Sequence, residues 1–364
     1  MPQHNIENER IKRAYFRHLR AARGLSEASI DAAVKAIHRF EVSTGFRSFR
    51  KFHVEQAIAF RRRLEDATAV RTDEPLSKAT ISHTLGAMRA FIIWLAEQPG
   101  YRSRIRYSDA AYFRLSEKDE RIAKAPKERK VPTPEQIEHV LQNMPAKTEI
   151  ERRDRALIAF TWLTGVRDGA LASLKIKHVN LAEGFVNQDP REVRTKNSKA
   201  IMTTFFPVGG SARQIVEEWI DHLLKQRLWG HDDPVFPATH IEQDAERRFQ
   251  GGGLSRNHWA NAGPICRVFK QAFAAAGMPY FNPHSFRHAL VRLGQSVCKT
   301  PEQFKAWSQN LGHEQVLTTF NSYGNVPQHR QSDIIKALGS GPALDDQFRQ
   351  LAKQVAELIG KNRD

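Results

Sequence analysis

Three separated segments of the chain carry arginine, histidine and tyrosine side chains that suit chemistry on a phosphodiester. Arg167 closes the motif TGVR, and the motif LGH supplies His313, with Tyr323 ten residues further on. His284 and Arg287 stand three apart in HSFRH, so they share one face of a helix. Guanidinium forks hold phosphate oxygens, imidazoles move protons, and a tyrosine oxygen can attack phosphorus. Singly, each residue has an ordinary interpretation as a surface ion pair, a structural histidine or a packed ring. Together, in this order, they are much harder to explain by such structural roles alone.

The motifs TGVR, HSFRH and LGH followed by a tyrosine resemble, in this combination, those of the tyrosine recombinase (phage integrase) family. The resemblance covers the whole order of elements, from a helical N-terminal domain to the C-terminal tyrosine. It implies a site-specific DNA recombinase, or integrase, that cuts and rejoins duplex DNA through a covalent 3′-phosphotyrosine intermediate without a metal. It also implies that double-stranded DNA at specific sites is the partner, and that protomers form a homo-oligomer, a tetramer, on paired DNA.

By position, the resemblance implies six catalytic residues: Arg167, Lys196, His284, Arg287, His313 and Tyr323. Tyr323 would be the nucleophile, while the two arginines and His313 would stabilise the charge that accumulates on the non-bridging oxygens. Lys196 would protonate the leaving 5′-hydroxyl, and His284 would assist deprotonation of the tyrosine. The family has a lysine in a β-hairpin of the catalytic domain, for which Lys196 is the first candidate and Lys199 the second.

Two departures from the family pattern leave other functions open. Ala170 stands three residues after Arg167, where the family usually has an acidic residue, and the interval from His313 to Tyr323 is one residue longer than in the commonest members. The missing acid favours a DNA-binding architectural or regulatory protein of the same fold that is catalytically weak. A third alternative is a type IB topoisomerase-like enzyme that relaxes supercoils as a monomer.

Two further patterns suggest other ligands. His284 and His288 have the spacing of zinc ligands on a helix, but Ser285 stands where a zinc hydrolase has glutamate, and no third ligand is close in sequence. The glycines at 251–253 precede no phosphate-loop signature and predict a flexible loop. We therefore expect neither a bound metal nor a cofactor.

Amphipathic periodicity predicts the elements that position these residues. Ser26 and Ser77 are expected to cap helices, and the second of these helices carries an apolar stripe: Ile81, Leu85, Met88, Ile92 and Leu95. Further helices are predicted over 54–69, 153–163, 211–226, 265–276, 285–297 and 301–310. After Leu174 the pattern predicts a small antiparallel sheet with a hairpin turn at Asn197 and Ser198. The fold class is mainly α with a small antiparallel β-sheet.

Breaks in the pattern divide the chain into four parts. We predict a helical DNA core-binding domain over 1–98, a basic interdomain linker over 99–131, an α+β catalytic domain over 132–341 and a tail helix over 342–364. The linker is rich in basic residues and loses helical periodicity. The tail carries an apolar stripe, with which it either folds back on its own domain or docks on a neighbouring protomer: Leu344, Phe348, Leu351, Val355 and Leu358.

The composition indicates a polyanionic partner. The 364 residues include 56 Lys and Arg against 40 Asp and Glu, a formal net charge of +16, which favours nucleic acid over an anionic membrane surface. DNA contacts are expected from basic side chains off the helical stripe, along one helix and in the linker: Lys78, His83, Arg89, Arg61, Arg62, Arg104 and Arg106. A solvated polar face is the alternative for the first three.

The cysteines and the apolar runs indicate the cellular compartment in which the protein is expected to act. Cys266 and Cys298 form no close pair, which argues against a disulfide framework. No apolar run approaches the roughly 18 residues of a membrane span, and the N-terminal residues lack the apolar segment of a secretory signal. We therefore expect a cytoplasmic, nucleoid-associated protein of bacterial or phage origin with no membrane partner.

Overall fold

The computed structural model describes residues 4–69, 72–125, 130–243 and 249–313. These residues are mostly helical with small antiparallel sheets, so the predicted fold class is confirmed. The chain divides between Ala125 and Pro126 into two compact units, each with its own hydrophobic core. Within the described ranges, no helix combines the length and the apolar character that crossing a bilayer requires.

The described part of the N-terminal unit is built from α1 (Ile6–Ala21), α2 (Glu27–Ser43), α3 (Val54–Glu65), α4 (Lys78–Leu95) and α5 (Glu117–Lys124). The predicted caps are present, since the hydroxyls of Ser26 and Ser77 each accept a backbone N–H of the first turn. The apolar stripe of α4 lies in the core, where Met88 is fully buried. The helix α3 ends four residues earlier than predicted, because Thr68 pairs with Pro75 in a β-bridge.

The structure differs from the predicted linker over 99–131. A 3₁₀ helix spans Tyr107–Tyr112, and α5 follows it within the same N-terminal unit. Tyr101, Ile105 and Phe113 are buried in the N-terminal core. They lie outside every α-helix and strand of the described ranges, so no regular element marks them, and the basic residues between them concealed the apolar contacts. The first and larger part of the stretch is therefore folded into the N-terminal unit.

The described part of the C-terminal unit contains α6 (Pro134–Asn143), α7 (Glu149–Thr164), α8 (Asp168–Leu171), α9 (Ala212–Asp221), α10 (Gly263–Ala275), α11 (Pro283–Val297) and α12 (Pro301–Asn310). The helix α6 begins at a capping box formed by Thr133 and Gln136. The helix α9 continues as a wider π-helical turn through Gln226, which accounts for the single long helix predicted there. The helix α7 is buried along its whole C-terminal half, and it contacts α6, α9 and α11.

A three-stranded antiparallel sheet in this unit has the order β1 (Val179–Asn180), β2 (Phe185–Gln188) and β3 (Ile201–Thr204). The connection 189–200 between β2 and β3 contains the predicted turn at Asn197 and Ser198, whose φ angles of 59° and 51° are left-handed. This β2–β3 connection carries both lysine candidates.

The glycines at 251–253 lie in a strand, so the predicted flexible loop is wrong. The strand β5 (Phe249–Leu254) pairs antiparallel with β4 (Thr239–Gln243). A Cβ at Gly252 would lie 2.2 Å from the side chain of Glu242 on the neighbouring strand, so the absence of a side chain makes room there. A glycine run is typical of loops, but here it admits a close neighbour beside the strand.

Candidate active site

Arg167 is positioned by the turn that ends α7. Gly165 ends that helix with a left-handed φ of 58°, and Arg167 then takes the capping position of α8. A Cβ at Gly165 would approach methyl carbons of Leu290 and Leu311 to 2.9 Å, so this turn needs glycine for both conformation and space. Arg167 is half-buried; burial lowers the pKa of its guanidinium, and the Asp168 carboxylate opposes that shift. The side chain stays protonated in either case.

Arg287 ties three segments of the unit together. It lies on α11 and is only 5% exposed. Its guanidinium donates one hydrogen bond to the carbonyl of Gly165 and another to the carbonyl of Leu311, and its Nη2 lies 3.4 Å from Nε2 of His313. Because hydrogen bonds from a charged donor are strong, one buried cation fixes the TGVR turn, α11 and the LGH segment relative to one another.

His313 lies against Arg287 as a neutral ring and is also influenced by the charge of Arg167. Burial lowers the pKa of His313 to about 4, and the positive charges of Arg287 and Arg167 add to this, followed by His288 and His284. Arg287 is in direct contact with the ring, with its Nη2 3.4 Å from Nε2 of His313. An arginine only donates hydrogen bonds, so Nε2 of His313 is the acceptor toward Arg287 and the ring proton is on Nδ1.

His284 lies at the exposed start of α11, one turn before Arg287. Asn282 caps the helix by accepting a backbone N–H at 3.0 Å. The rings of His284 and His288 meet edge-on with their centroids 4.8 Å apart, and a cavity of about 270 Å³ opens beside them, with Lys130 also in its lining. In the described part of the chain, no cluster of three or more His, Cys, Asp or Glu side chains with a geometry for a metal ion accompanies this pair.

The β2–β3 connection presents the lysine candidates on a neighbouring loop. Lys196 is exposed in the short 3₁₀ turn Lys196–Ser198, while Lys199 is half-buried. The structure therefore brings the two arginines and two histidines together and leaves Lys196 at the surface of the loop. Tyr323 and the predicted tail helix over 342–364 lie outside the described residues.

Ala170 has no exposed surface and lies in the core of the C-terminal unit. An acidic side chain at this position would need a partner inside that core, because a buried unpaired carboxylate is costly. The carboxylate whose charge acts on Arg167 instead belongs to Asp168, its immediate neighbour.

Two residues that hold the site were missed in the sequence: Arg194 and Asn310. The Asn310 side chain accepts the N–H of Thr204 and donates to its carbonyl, both at 2.8 Å, which ties β3 to the segment carrying His313. The Arg194 guanidinium binds backbone carbonyls, although its place in RTKNSK resembles one more DNA contact. The sequence offered one signal for these two residues, which is that each lies close to a motif of the candidate site. That signal does not show that their side chains bind the backbone.

The expected DNA-contacting residues of the N-terminal unit differ in their surroundings. Four of them are exposed: His83, Arg62, Arg104 and Arg106. The Lys78 ammonium lies 3.3 Å from the Asp119 carboxylate, and Arg61 donates to the carbonyl of Arg114 at 3.3 Å. Arg89 is half-buried. Neighbouring groups thus already engage Lys78 and Arg61.

Two arginines and two histidines converge at the end of a buried helix, in the unit that also carries the β2–β3 connection with its two lysines. A family model described as the phage integrase family matches residues 130–330, and the chain belongs to this family. The family that the sequence predicted is therefore confirmed.

Curated relatives extend the similarity over most of the chain. Tyrosine recombinase XerD of Oceanobacillus iheyensis is 23% identical over 334 residues, which cover 89% of this chain and 96% of that protein. Tyrosine recombinase XerC of Pseudomonas putida is 28% identical over 203 residues, which cover 54% of this chain and 57% of that protein. The chain thus spans little more than half of the length of that XerC.

Solved structures share the fold at low sequence identity. A lambda integrase dimer bound to a COC′ core site has a TM-score of 0.57 and 14% identity, and the match covers 88% of this chain and 96% of that one. XerH recombinase bound to a palindromic difH substrate in a post-cleavage complex has a TM-score of 0.56 and 16% identity, over 91% of this chain and 83% of that one.

Proposed function

We propose that the protein is a site-specific DNA recombinase in which Tyr323 attacks a backbone phosphate of duplex DNA. The Tyr323 oxygen forms a bond to phosphorus while the bond from phosphorus to the 5′ oxygen breaks, which leaves a 3′-phosphotyrosine and a free 5′-hydroxyl. Because the ester is retained, attack by the 5′-hydroxyl of a partner strand rejoins the backbone without a further energy source. The convergence of Arg167, His284, Arg287 and His313 carries this proposal.

Stabilisation of negative charge is the task of the arginines. In the transition state, charge accumulates on the two non-bridging oxygens, and we assign the binding of these oxygens to Arg167 and Arg287. The hydrogen bonds from Arg287 to two carbonyls hold that guanidinium in place before DNA arrives, so little reorganisation is needed. Neutral His313 adds an N–H donor without adding a third positive charge.

Proton transfer falls to the two side chains that remain exposed. The leaving 5′ oxygen would depart as a strongly basic alkoxide unless it receives a proton, which we assign to Lys196, with Lys199 as the second candidate. His284 is assigned the removal of the proton from the tyrosine. Both Lys196 and His284 face solvent in the protein without DNA, where substrate can reach them.

The proposal also assigns roles in DNA binding and assembly to parts of the protein outside the candidate active site. The exposed basic side chains of the N-terminal unit, together with Lys78, Arg61 and Arg89, are proposed to contact the DNA backbone, in line with the net charge of +16. We further propose that four protomers assemble on paired DNA through the tail helix, and that the protein acts in the bacterial or phage-infected cytoplasm. The lambda integrase tetramer bound to a Holliday junction, with a TM-score of 0.55, supports such an assembly for this fold.

Replacing Arg167 tests the assigned charge stabilisation. We expect Arg167→Ala to slow single-turnover cleavage of a nicked suicide duplex, carrying the sequences that flank the gene, by about 10²- to 10³-fold, the effect of removing one oxyanion donor. The matched control is Arg213→Ala, which removes an exposed arginine that pairs with Glu217 at 2.7 Å on α9. Equal cleavage rates for Arg167→Ala and Arg213→Ala would contradict the assignment.

A further inference from the structure

Arg194 stands two residues before Lys196 and is bonded to the protein on several sides. Its guanidinium donates to the carbonyl oxygens of Ala172 at 2.8 Å, Trp259 at 2.5 Å and Ala260 at 2.6 Å. Its own backbone N–H donates to the hydroxyl of Ser173 at 2.9 Å. The planar fork of arginine suits several carbonyls at once, whereas lysine presents a single point charge. The charge of Arg194 is thus directed at the protein backbone.

Two of those partners, Ala172 and Ser173, lie at the end of the element that carries Arg167, whereas Trp259 and Ala260 lie in the segment before α10. Ala172 is the C-terminal cap of α8, the helix that Arg167 begins, and the Ser173 hydroxyl donates in turn to the carbonyl of Ala170 at 3.1 Å. A cation at the carbonyl end of a helix is favourable because the unpaired carbonyls there carry partial negative charge. Arg194 therefore fixes the middle of the β2–β3 connection to the helix that begins at Arg167.

Beyond Arg194 the chain enters the short 3₁₀ turn Lys196–Ser198. Lys196 is exposed, and the backbone bond that closes its turn, from the N–H of Ser198 to the carbonyl of Thr195, is long at 3.4 Å. Consecutive Cα atoms are about 3.8 Å apart, so the Cα of Lys196 can lie at most about 7 Å from that of Arg194. Arg194 is thus the nearest firmly bonded side chain that precedes the proposed general acid.

We infer that Arg194 is a positioning residue, which holds the loop so that Lys196 can deliver its proton to the 5′ oxygen. This inference rests on the proposed function, because it assigns Arg194 a role only through Lys196. If it is correct, loss of Arg194 weakens protonation of the leaving group and leaves charge stabilisation by Arg167 and Arg287 intact. A merely structural role would slow cleavage regardless of the leaving group.

The experiment compares two suicide duplexes that differ in one atom at the scissile phosphate. One has the natural 5′ oxygen, and the other has sulfur in that bridging position, which leaves as a thiolate and needs no proton because a thiol is far more acidic than an alcohol. Single-turnover cleavage is measured for wild type, Arg194→Ala, Arg194→Lys and Lys196→Ala. The control is Arg191→Ala in the same loop, where an exposed arginine pairs with Asp189 at 2.9 Å.

On the oxygen duplex we expect Arg194→Ala and Arg194→Lys to cleave about 10- to 100-fold more slowly than wild type, within the range of a lost general acid. On the sulfur duplex both should come within about threefold of wild type, as should Lys196→Ala. Combining Arg194→Ala with Lys196→Ala should add little to the effect of Lys196→Ala alone, because the two residues act as one unit. Arg191→Ala should match wild type on both duplexes.

Two results would overturn the inference in distinguishable ways. If sulfur rescues Lys196→Ala but leaves both Arg194 variants as slow as on oxygen, Arg194 acts on folding or DNA binding and the positioning role is wrong. If sulfur rescues none of them while wild type still forms the tyrosine adduct, the assignment of Lys196 as general acid fails, and the inference fails with it. Wild-type rates for both Arg194 variants on the oxygen duplex would also refute it.

Discussion

Arg287 shows how one residue can serve both the fold and the chemistry. It has 5% of its surface exposed, and it bonds to carbonyls of two segments that are far apart in sequence. A buried cation is tolerated only when it is hydrogen-bonded, and here the backbone supplies those bonds. The same bonds fix the direction in which the remaining guanidinium surface faces His313. Arg287 therefore has a structural role in addition to the catalytic role that we propose for it.

The charge state of His313 provides a prediction at the same scale. Burial and the adjacent arginines disfavour the charged ring, so the pKa of His313 falls to about 4 in the free protein. The phosphate of bound DNA favours the charged ring, so DNA should raise that midpoint. Both values are measurable by NMR on histidine-labelled protein, with His313→Asn identifying the signal. A free-protein midpoint near 6.5, or one that DNA leaves unchanged, would contradict the geometry.

The same pKa shift has a consequence for folding. The unfolded chain takes up the His313 proton near its ordinary pKa of 6.5, whereas the folded protein takes it up only near pH 4. Between these values the unfolded state binds more protons, so the contribution of His313 to stability falls as the pH is lowered through this window. His313→Asn should accordingly flatten the pH dependence of the melting temperature between pH 6.5 and 4 relative to wild type.

At the scale of elements, the packing of α12 on α11 determines where the LGH segment begins. Trp307 of α12 donates its indole N–H to the carbonyl of Leu290 on α11 at 2.9 Å, and its ring lies 4.7 Å from that of Phe206. Gly294 provides the space, since a Cβ there would lie 2.6 Å from the Trp307 nitrogen. The position of His313 thus depends on a helix contact that it does not itself make.

Gly294→Ala tests that contact. The added methyl must displace the indole, so we expect a loss of about 1–3 kcal/mol in the free energy of unfolding, the usual cost of overpacking. Gly86→Ala is the matched control, because Gly86 is an exposed position of α4 with nothing within 4 Å of the added carbon. That variant should be neutral or gain up to about 1 kcal/mol from helix propensity. Urea unfolding measures both, and equal losses would contradict this account of α11 and α12.

Elements with a regular period were predictable from the sequence, and irregular ones were not. The helix α12 has the predicted bounds, and the stripe of α4 is buried as expected, because apolar spacing of 3.6 residues records one buried face. Tyr101 and Phe113 enter the N-terminal core from non-repeating turns, which leave no such period. The predicted glycine loop was wrong for a related reason, since the space beside Gly252 is filled by another strand.

The residues of the candidate site also differ in how well the sequence predicted them. The order of the motifs predicted the arginines and histidines that the structure brings together. Arg194 and Asn310 were missed because their partners are backbone carbonyls and N–H groups, which every residue has and which no side-chain motif records. Side-chain motifs in a sequence therefore reveal candidate site residues more readily than the residues whose backbone contacts hold them in place.

At the scale of the whole molecule, the net charge of +16 divides between two tasks. Most of the basic side chains can supply salt-sensitive attraction to the DNA backbone, whose strength depends on how many phosphates are neutralised. Arg287 differs from these because it is buried and bonded to two backbone carbonyls, and Arg167 differs because it is half-buried in the same unit. We therefore expect salt and mutation to separate the two tasks: salt should weaken binding, whereas loss of Arg167 or Arg287 should slow cleavage of DNA that is already bound.

Removal of the tail tests the proposed assembly. Deleting residues 343–364 removes an apolar stripe from Leu344 to Leu358, so we expect binding to one site to persist and complexes that pair two DNA sites to disappear. Deleting only 360–364, which keeps the stripe, is the control and should preserve pairing. Native gels with one-site and two-site duplexes provide the measurement. Undiminished pairing without the tail would refute the proposal, and supercoil relaxation by unpaired protomers would favour the topoisomerase alternative.

The covalent step itself provides the most direct test of the central claim. Wild-type protein incubated with a suicide duplex from the flanks of its gene should yield a protein–DNA adduct that survives denaturation, and peptide mapping should locate the DNA on Tyr323. Tyr323→Phe lacks only the attacking oxygen, so it should bind the same duplex with unchanged affinity and form no adduct. An adduct formed by Tyr323→Phe, or one mapped to another residue of the wild type, would contradict the assignment of the nucleophile.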